Sequence, residues 1–263
     1  MKATLNVYKR RGETPLACLE RLQESVPELR GQSLTYAGRL DPLAEGVLVV
    51  LVGDEARRKD AYLELRKTYC AEILFGFSTD TYDLAGKLTE ATHGRVPMIQ
   101  VMDSVGALEG LRQQAYPPFS SKPVMGKPLW QWTRENRLNE IIIPTHEVRI
   151  YRSLMRHSET IQGEDLRRHI METLKLMKGD FRQEEIAACW EDNLKSHYGD
   201  LYDIATIEID CSSGTYIRSI AHELGQSVGI PALAYRIVRT KVGTYSIEES
   251  LRDFSPATVA QSI

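Results

Sequence analysis

The sequence predicts an α+β fold. Stretches with strand character and stretches with helical periodicity follow one another irregularly, without the regular strand–helix alternation of doubly wound α/β proteins. Of the 263 residues, 42% are hydrophobic and 26% are charged, which is typical of globular proteins and argues against a disordered or membrane class.

The predicted elements of the first half follow from the spacing of apolar residues. Leucines recur at helical intervals over residues 16–26 and predict a helix that starts at a Thr-Pro pair. An unbroken apolar run predicts a buried strand over 46–52, and a second strand is predicted over 71–77, before a polar turn. Residues 113–127 contain three prolines and predict a long ordered loop, a kind of segment that often carries function.

In the second half of the chain, the first predicted element is a helical hairpin over residues 163–194. Two apolar helical faces are separated there by the break Lys178-Gly179-Asp180. Alternating apolar residues then predict a strand at 207–211, and helical spacing returns over 215–228.

The cysteines and histidines predict neither disulfides nor a metal site. The histidines are scattered. The cysteines form no Cys-x-x-Cys pair, so we interpret the cysteines as buried thiols. They stand at Cys18, Cys70, Cys189 and Cys211. No apolar run approaches the roughly 18 residues of a membrane span, and the amino terminus lacks the apolar core of a signal peptide. We therefore expect a cytoplasmic protein with no membrane association.

The charge distribution gives little support to nucleic-acid binding. The net charge is −3, whereas RNA-binding proteins usually carry a basic footprint. Basic clusters occur at residues 9–11, 57–59 and 236–241. On charge alone, these clusters are interpreted as solvated surface patches.

The most informative segment surrounds Asp41. The carboxylate stands between a leucine and Pro42, with Gly38 and Gly46 on either side, directly before the predicted strand. Proline stiffens such a loop, and glycine permits tight turns or close backbone approach. Taken alone, the Asp-Pro pair is more often an ordinary turn.

This segment resembles the nucleophile motif of the TruB family of tRNA pseudouridine synthases, G-H-T-G-x-L-D-P-x-A-x-G-x-L. Further segments resemble other motifs of the family, in the family's order. They lie at residues 8–15, 67–69, 79–86, 211–225 and 239–246. Any one match is modest, but the ordered set favours membership. The resemblance implies the pseudouridine synthase fold, with a mixed, mainly antiparallel sheet flanked by helices and loops.

The resemblance also implies a domain organisation. We expect one catalytic domain over residues 1–263, in which the helical hairpin at about 160–196 is an insertion. The chain ends at Ile263, soon after the last motif, so we expect no carboxy-terminal PUA domain of the kind that grips the acceptor stem in many family members.

Site residues are assigned from the resemblance position by position. Asp41 is expected to be the nucleophile, Tyr69 to stack on the target base and take a proton late in the reaction, and Arg218 to pair with Asp41. The substrate-binding residues are expected to be Tyr36, Arg39, Asp83, Lys9, Lys122 and Tyr216, with Ile237 beside the base. Taken singly, each of these residues also fits an ordinary structural role, and for Asp83 the two interpretations stay balanced.

These residue types suit the isomerisation of uridine. A carboxylate can hold the uracil or the sugar covalently, or stabilise charge, while a bond is broken and remade. The planar fork of Arg218 could bind Asp41 through two parallel hydrogen bonds. The chemistry implies no metal and no cofactor. The target base must leave its stack, and aromatic side chains can receive it.

The chain departs from the family pattern at two positions near the expected RNA contacts. Tyr36-Ala37 replaces the usual His-Thr, and Lys122 stands one position early in a segment that resembles Q-x-P-P-x-Y-S-A-x-K. The leading hypothesis is a tRNA pseudouridine synthase, acting as a monomer on the T-arm uridine at position 55. The alternatives are the same reaction on another structured RNA and a catalytically silent RNA-binding or RNA-folding protein.

Overall fold

The computed structural model describes residues 2–255 and residue 259. The helices are Pro15–Ser25 (α1), Lys59–Leu63 (α2), Met98–Gly106 (α3), Leu129–Arg134 (α4), Gly163–Leu176 (α5), Gln183–Leu194 (α6) and Ile217–Val228 (α7). The strands are Lys2–Lys9 (β1), Leu34–Ala37 (β2), Ala44–Gly53 (β3), Lys67–Phe75 (β4), Phe77–Thr79 (β5), Leu88–Ala91 (β6), Gly110–Ala115 (β7), Pro123–Val124 (β8), Lys127–Pro128 (β9), Thr145–Gln162 (β10), Leu201–Cys211 (β11), Ala232–Val242 (β12) and Tyr245–Ser246 (β13).

One large sheet organises the fold, in the order β1-β3-β12-β4-β11-β10-β7, with β2 paired to β3 and β13 paired to β12. The β3–β12 pair is parallel, with Ala44 opposite Ile237, and the other pairs of this sheet are antiparallel. The predicted α+β class and the mixed, mainly antiparallel sheet are therefore confirmed.

Strand β12 lies between β3 and β4, which follow each other in the sequence but do not pair. Strand β3 is buried along nine of its ten residues, so its sequence is a continuous apolar run rather than an alternating one. Asp41 lies just before β3, and Tyr69 lies within β4. Because β12 pairs with both β3 and β4, it lies beside the start of β3, next to Asp41, and beside Tyr69 in β4.

The predicted helical hairpin is present as α5 and α6, and it is part of the core. Residues of both helices, including Ile170 and Trp190, pack in one hydrophobic cluster with Leu43, Leu84 and Tyr202. The Trp190 indole donates a hydrogen bond of 3.3 Å to the carbonyl of Gly86. Removing this hairpin would expose apolar side chains of the main body of the protein to water.

Two predicted elements need correction. The strand expected over 71–77 is interrupted at Gly76, whose φ of +106° turns the chain between β4 and β5. The loop expected over 113–127 begins with strand β7, because residues up to Ala115 pair with β10, and it contains the β8–β9 hairpin. Strand β7 could not be predicted from the sequence, because its side chains are mainly polar and form no apolar pattern.

The helices predicted over 16–26 and 215–228 are confirmed; α1 is shifted by one residue, and α7 begins two residues later than predicted. Thr14 caps α1 by accepting a hydrogen bond of 3.1 Å from the amide of Ala17. The four cysteines are free, and Cys18 and Cys211 are buried. Among the described residues, no helix combines the length and apolar character needed to cross a membrane.

Gly46 in β3 is a position where only glycine fits. Its φ is +106°, and an added Cβ would lie 2.3 Å from the carbonyl oxygen of Arg239 on β12. We expect Gly46→Ala to lower the free energy of unfolding by about 3 kcal/mol, because backbone strain and a backbone clash add. Urea denaturation measures this. The control is Gly31→Ala, which shares a positive φ but meets nothing within 4 Å. Equal losses in the two variants would show that the close approach of β12 is unimportant.

Candidate active site

A cavity of about 740 Å³ collects most of the residues singled out in the sequence. The predicted residues in its wall are Tyr36, Arg39, Asp41, Tyr69, Asp83, Tyr216, Arg218 and Ile237. The segments that line it are far apart in sequence, from the β2–β3 loop to strand β12. The fold therefore gathers these motifs around one space.

The loop that carries Asp41 is fixed from behind by two buried cations. The ammonium of Lys9 donates hydrogen bonds to the carbonyls of Pro42 (3.2 Å) and Ala44 (2.6 Å). The guanidinium of Arg239 donates to the carbonyls of Gly38 (3.1 Å) and Val47 (2.8 Å). Burial lowers the pKa of Lys9 to about 8. The position of Asp41 is therefore set by backbone contacts on both sides.

Arg218, in the first turn of α7, orients the Asp41 carboxylate. Its Nε donates to Asp41 Oδ2 at 2.6 Å, and the side chain is only 4% exposed. Its Nη1 donates to the carbonyl of Thr81 at 2.6 Å, and its Nη2 to the carbonyl of Phe119 at 3.3 Å. Burial lowers the pKa of Arg218, but the charges of Asp41 and Asp83 outweigh this and raise it. The guanidinium therefore stays charged.

The expectation of a bidentate Asp41–Arg218 pair is wrong. A single N–H reaches Asp41, because the two terminal nitrogens of Arg218 are occupied by carbonyls from two other segments. Arg218 therefore acts as a junction between three loops as well as a partner of the carboxylate. The structure records no hydrogen bond to Asp41 Oδ1 from any residue it describes, so this oxygen can approach a substrate.

Asp83 supplies a second carboxylate next to Arg218, with Oδ2 at 3.7 Å from the arginine Nε. Its Oδ1 accepts hydrogen bonds from the Thr81 hydroxyl (2.7 Å) and the Ala85 amide (2.9 Å). Burial raises the pKa of Asp83, although Arg218 and these donors oppose the change. Asp83 is thus held by its own loop and faces the arginine rather than open solvent.

Aromatic side chains provide flat surfaces in the cavity. Tyr69 is 8% exposed and lies opposite Arg239 in the β4–β12 register. Burial raises the pKa of Tyr69, so its phenol is protonated at neutral pH. Tyr36 and Tyr216 are half-buried in the same wall, and the ammonium of Lys59 lies 5.4 Å from the Tyr36 ring.

Two of the predicted substrate-binding residues are not in the cavity. Lys9 is fully buried beneath the Asp41 loop and donates to backbone carbonyls, so the prediction that it contacts substrate is corrected. Lys122 lies outside the lining residues, with its ammonium 5.1 Å from the Tyr116 ring. Its expected contact with RNA stays a prediction for the surface beside the cavity.

Sequence reasoning did not assign five cations of the cavity wall to the site: Lys59, Lys67, Arg134, Arg182 and Arg239. Lys67 and Arg239 belong to motifs already quoted, but the family pattern drew attention to Tyr69 and not to them. Lys67 donates to the Ser213 hydroxyl at 3.0 Å, and burial lowers its pKa to about 8. Arg182 comes from the turn between α5 and α6, where the sequence offered no signal.

A group of possible metal ligands lies outside the cavity. Ligand atoms of His93, His197 and Asp200 lie within 4.8 Å of one another, although the histidines are scattered in the sequence. The two imidazole rings stack with centroids 3.5 Å apart and planes at 7°. Because nitrogen lone pairs lie in the ring planes, stacked rings do not direct two of them at one ion.

Comparison with known proteins gives this cavity a family context. The family model described as TruB family pseudouridylate synthase (N terminal domain) matches residues 28–164, which include Asp41, Tyr69 and Asp83. The chain belongs to the TruB family. The match to the model ends at residue 164, at the start of α5, and Arg218 and Arg239 lie beyond it.

Curated relatives of this TruB-family chain extend the similarity over almost all of it. It is 30% identical to tRNA pseudouridine synthase B of Chlamydia muridarum over 252 residues, which cover 95% of this chain and 85% of that protein. It is 29% identical to tRNA pseudouridine synthase B of Thermosipho melanesiensis over 255 residues, covering 97% of this chain and 68% of the relative.

A solved structure resembles the TruB-family chain in fold. A chain from an H/ACA RNP bound to a substrate RNA containing 2′-deoxyuridine superposes with a TM-score of 0.53 at 18% identity. The match covers 92% of this chain but only 48% of the other, so this chain spans about half its length. At this identity, the likeness shows a common fold and nothing further.

Proposed function

We propose that this TruB-family protein isomerises uridine to pseudouridine in tRNA, at the T-arm uridine at position 55. The observation that carries the proposal is the Asp41 carboxylate, fixed at 2.6 Å from Arg218 in the wall of the cavity. Membership of a pseudouridylate synthase family and relatives named tRNA pseudouridine synthase B support the reaction and the class of RNA.

The reaction needs no external reactant. The bond between uracil N1 and ribose C1′ breaks, a bond between C5 and C1′ forms, N1 gains a proton, and the hydrogen on C5 leaves as a proton. The Asp41 carboxylate serves as nucleophile or as charge stabiliser at either C6 or C1′. Arg218 orients the Asp41 carboxylate through the charge-assisted hydrogen bond from its Nε.

The cavity suits a nucleotide that has left its stack. Its volume of about 740 Å³ lies in the range of small-molecule sites. Tyr69 and Tyr36 offer ring faces to the base or its neighbours, and Arg39 lines the cavity and is exposed, so it can meet phosphate. We expect the reaction to use no metal or cofactor and the protein to act in the cytoplasm as a monomer.

The alternatives fit the site less well. A silent RNA-binding protein would not require a carboxylate held by an arginine that also ties three loops together. A different structured RNA would use the same chemistry, so only the substrate distinguishes it. Mapping pseudouridine in all RNA from cells with and without the gene identifies that substrate.

The direct test uses a tRNA transcript labelled with tritium at C5 of uridine. Isomerisation at one site releases the tritium of that uridine into water, and we expect about one equivalent per tRNA. A transcript with cytidine at position 55 is the control and should release none. Release that persists with this control transcript would disprove the T-arm position, and no release from any tRNA would disprove the activity on tRNA.

We also expect an isolated T-arm stem-loop to be modified nearly as well as full tRNA. The predicted contacts surround the cavity, so most of the binding energy should come from the arm itself. Affinity should fall as salt rises, because phosphate contacts release counterions. Comparing kcat/KM for the two substrates measures this. A loss of more than about a hundredfold with the stem-loop would show that binding depends on another part of tRNA.

A further inference from the structure

The turn between α5 and α6 reaches the cavity. Met177, Asp180, Phe181 and Arg182 line it. The two helices pack in the same hydrophobic cluster as Leu43, which lies two residues after Asp41. The turn is therefore fixed relative to the loop that carries the nucleophile.

Arg182 joins this turn to two segments of the main body. Its Nη1 donates to Asp80 Oδ2 at 2.7 Å and its Nη2 to Asp80 Oδ1 at 3.2 Å, a paired geometry that fixes the guanidinium plane. The guanidinium also lies 4.3 Å from the centre of the Phe119 ring. The Arg182 side chain is 14% exposed, so water screens these contacts only partly.

The same two segments orient Arg218. Thr81, whose carbonyl accepts from Arg218 Nη1, follows Asp80 directly in the chain. Phe119 uses its carbonyl to accept from Arg218 Nη2 and its ring to contact Arg182. Arg182 therefore contacts both segments whose carbonyls accept hydrogen bonds from the Arg218 fork.

The backbone at Arg182 supports a role for its side chain. Its φ of 62° and ψ of 29° are left-handed, a conformation that favours glycine. A second link between the turn and the segment after Phe119 is the Arg134–Asp180 ion pair at 2.8 Å. That pair is largely exposed and contributes little. The main connection is Arg182.

We propose that Arg182 is a positioning residue for the isomerisation, acting through Asp80 and Phe119 on Arg218 and so on Asp41. The proposal rests on the proposed function and assigns the α5–α6 hairpin a part in it. Arg182 does not touch the substrate in this role. Its loss should therefore lower kcat while leaving KM and RNA affinity nearly unchanged.

The experiment compares Arg182→Met with Arg167→Met. Arg167 is a matched control in α5, because it also binds a carboxylate (Glu191, 3.2 Å) and faces a ring (Tyr198, 5.6 Å) but does not line the cavity. Tritium release gives kcat and KM, and filter binding gives the Kd for tRNA. In ¹⁵N-labelled protein, the Nε–Hε signal of Arg218, identified by its loss in Arg218→Lys, reports the contact with Asp41 directly.

We expect Arg182→Met to lower kcat at least about tenfold, to change KM and Kd less than threefold, and to move the Arg218 signal. Arg167→Met should leave all of these unchanged. An unmoved Arg218 signal, a kcat within twofold of wild type, or an equal loss in Arg167→Met would overturn the proposal. Wild-type protein without activity on tRNA would instead disprove the proposed function, and the Arg218 signal would still decide whether Arg182 positions Arg218.

Arg182→Gly separates the side chain from the backbone. Glycine adopts the left-handed conformation at this position without steric cost, so the turn should keep its shape. The same loss of kcat and the same movement of the Arg218 signal are expected. If Arg182→Gly kept the wild-type kcat and the wild-type Arg218 signal, and only Arg182→Met lost them, the effect would come from the introduced methionine. That result would overturn the proposal.

Discussion

Asp41→Asn should reduce pseudouridine formation by at least about 10⁴-fold, because an amide has neither the charge nor the nucleophilicity of a carboxylate. The side chain keeps its shape, and its amide oxygen can still accept the hydrogen bond from Arg218. Folding and tRNA affinity should therefore be preserved, with Kd changed less than threefold. Tritium release and filter binding on the same preparation measure the two effects.

The control for Asp41→Asn is Asp210→Asn. Asp210 in β11 also pairs with an arginine, Arg66, but neither residue of this pair lines the cavity. We expect its activity to stay within twofold of wild type. Turnover by Asp41→Asn well above the background of RNA alone would rule out Asp41 as the nucleophile.

Arg218→Lys should lower kcat by about 10³-fold. A lysine ammonium keeps the charge, but it lacks the planar geometry that lets Arg218 reach Asp41, Thr81 and Phe119 together. Losing an oriented buried donor at a reacting centre costs two to three orders of magnitude in other enzymes. The steady-state kcat measures the effect, and the thermal midpoint shows whether the fold survives.

The surface substitution Arg66→Lys provides the comparison for Arg218→Lys. It makes the same chemical change in an ion pair that is more than half exposed on the arginine side. We expect no measurable effect on kcat. Near-wild-type turnover by folded Arg218→Lys would show that the three-way junction is unnecessary for catalysis.

The elements that the sequence predicted well have one-sided or fully buried surfaces. Strand β3 is a continuous apolar run, and α7 has a periodic apolar face, so each carries its own signal. Strand β10 was not predicted, because most of its 18 residues are exposed or half-buried and its pattern is mainly polar. Its length depends on pairing with β11 and β7, which local sequence does not encode.

The residues of the candidate site also fall into those that the sequence could identify and those that only the packing reveals. Asp41, Tyr69 and Arg218 could be assigned because they stand in ordered motifs. The geometry of the Arg218 fork could not, because its carbonyl partners lie 137 and 99 residues away in the chain. Arg182 was missed because the hairpin matched no motif, and the position of its turn follows only from packing. Lys9 stood in a motif, yet its burial assigns it to backbone support.

The position of β12 in the sheet has a consequence for folding while the chain is being synthesised on the ribosome. Strand β4 pairs with β11 and β12 alone, so Tyr69 has no neighbouring strand until residues 201–211 have been translated, and it lacks the second until residues 232–242 follow. Before then, the nascent chain holds β4 as an unpaired strand and leaves residues 44–46 of β3 without their partner in β12, and such edges invite association with other chains. Asp41 likewise lacks the support of Arg239 until this late stretch emerges. A product released before this stretch would therefore be inactive and prone to aggregation, and the nascent protein should gain activity only after residues through 242 have emerged.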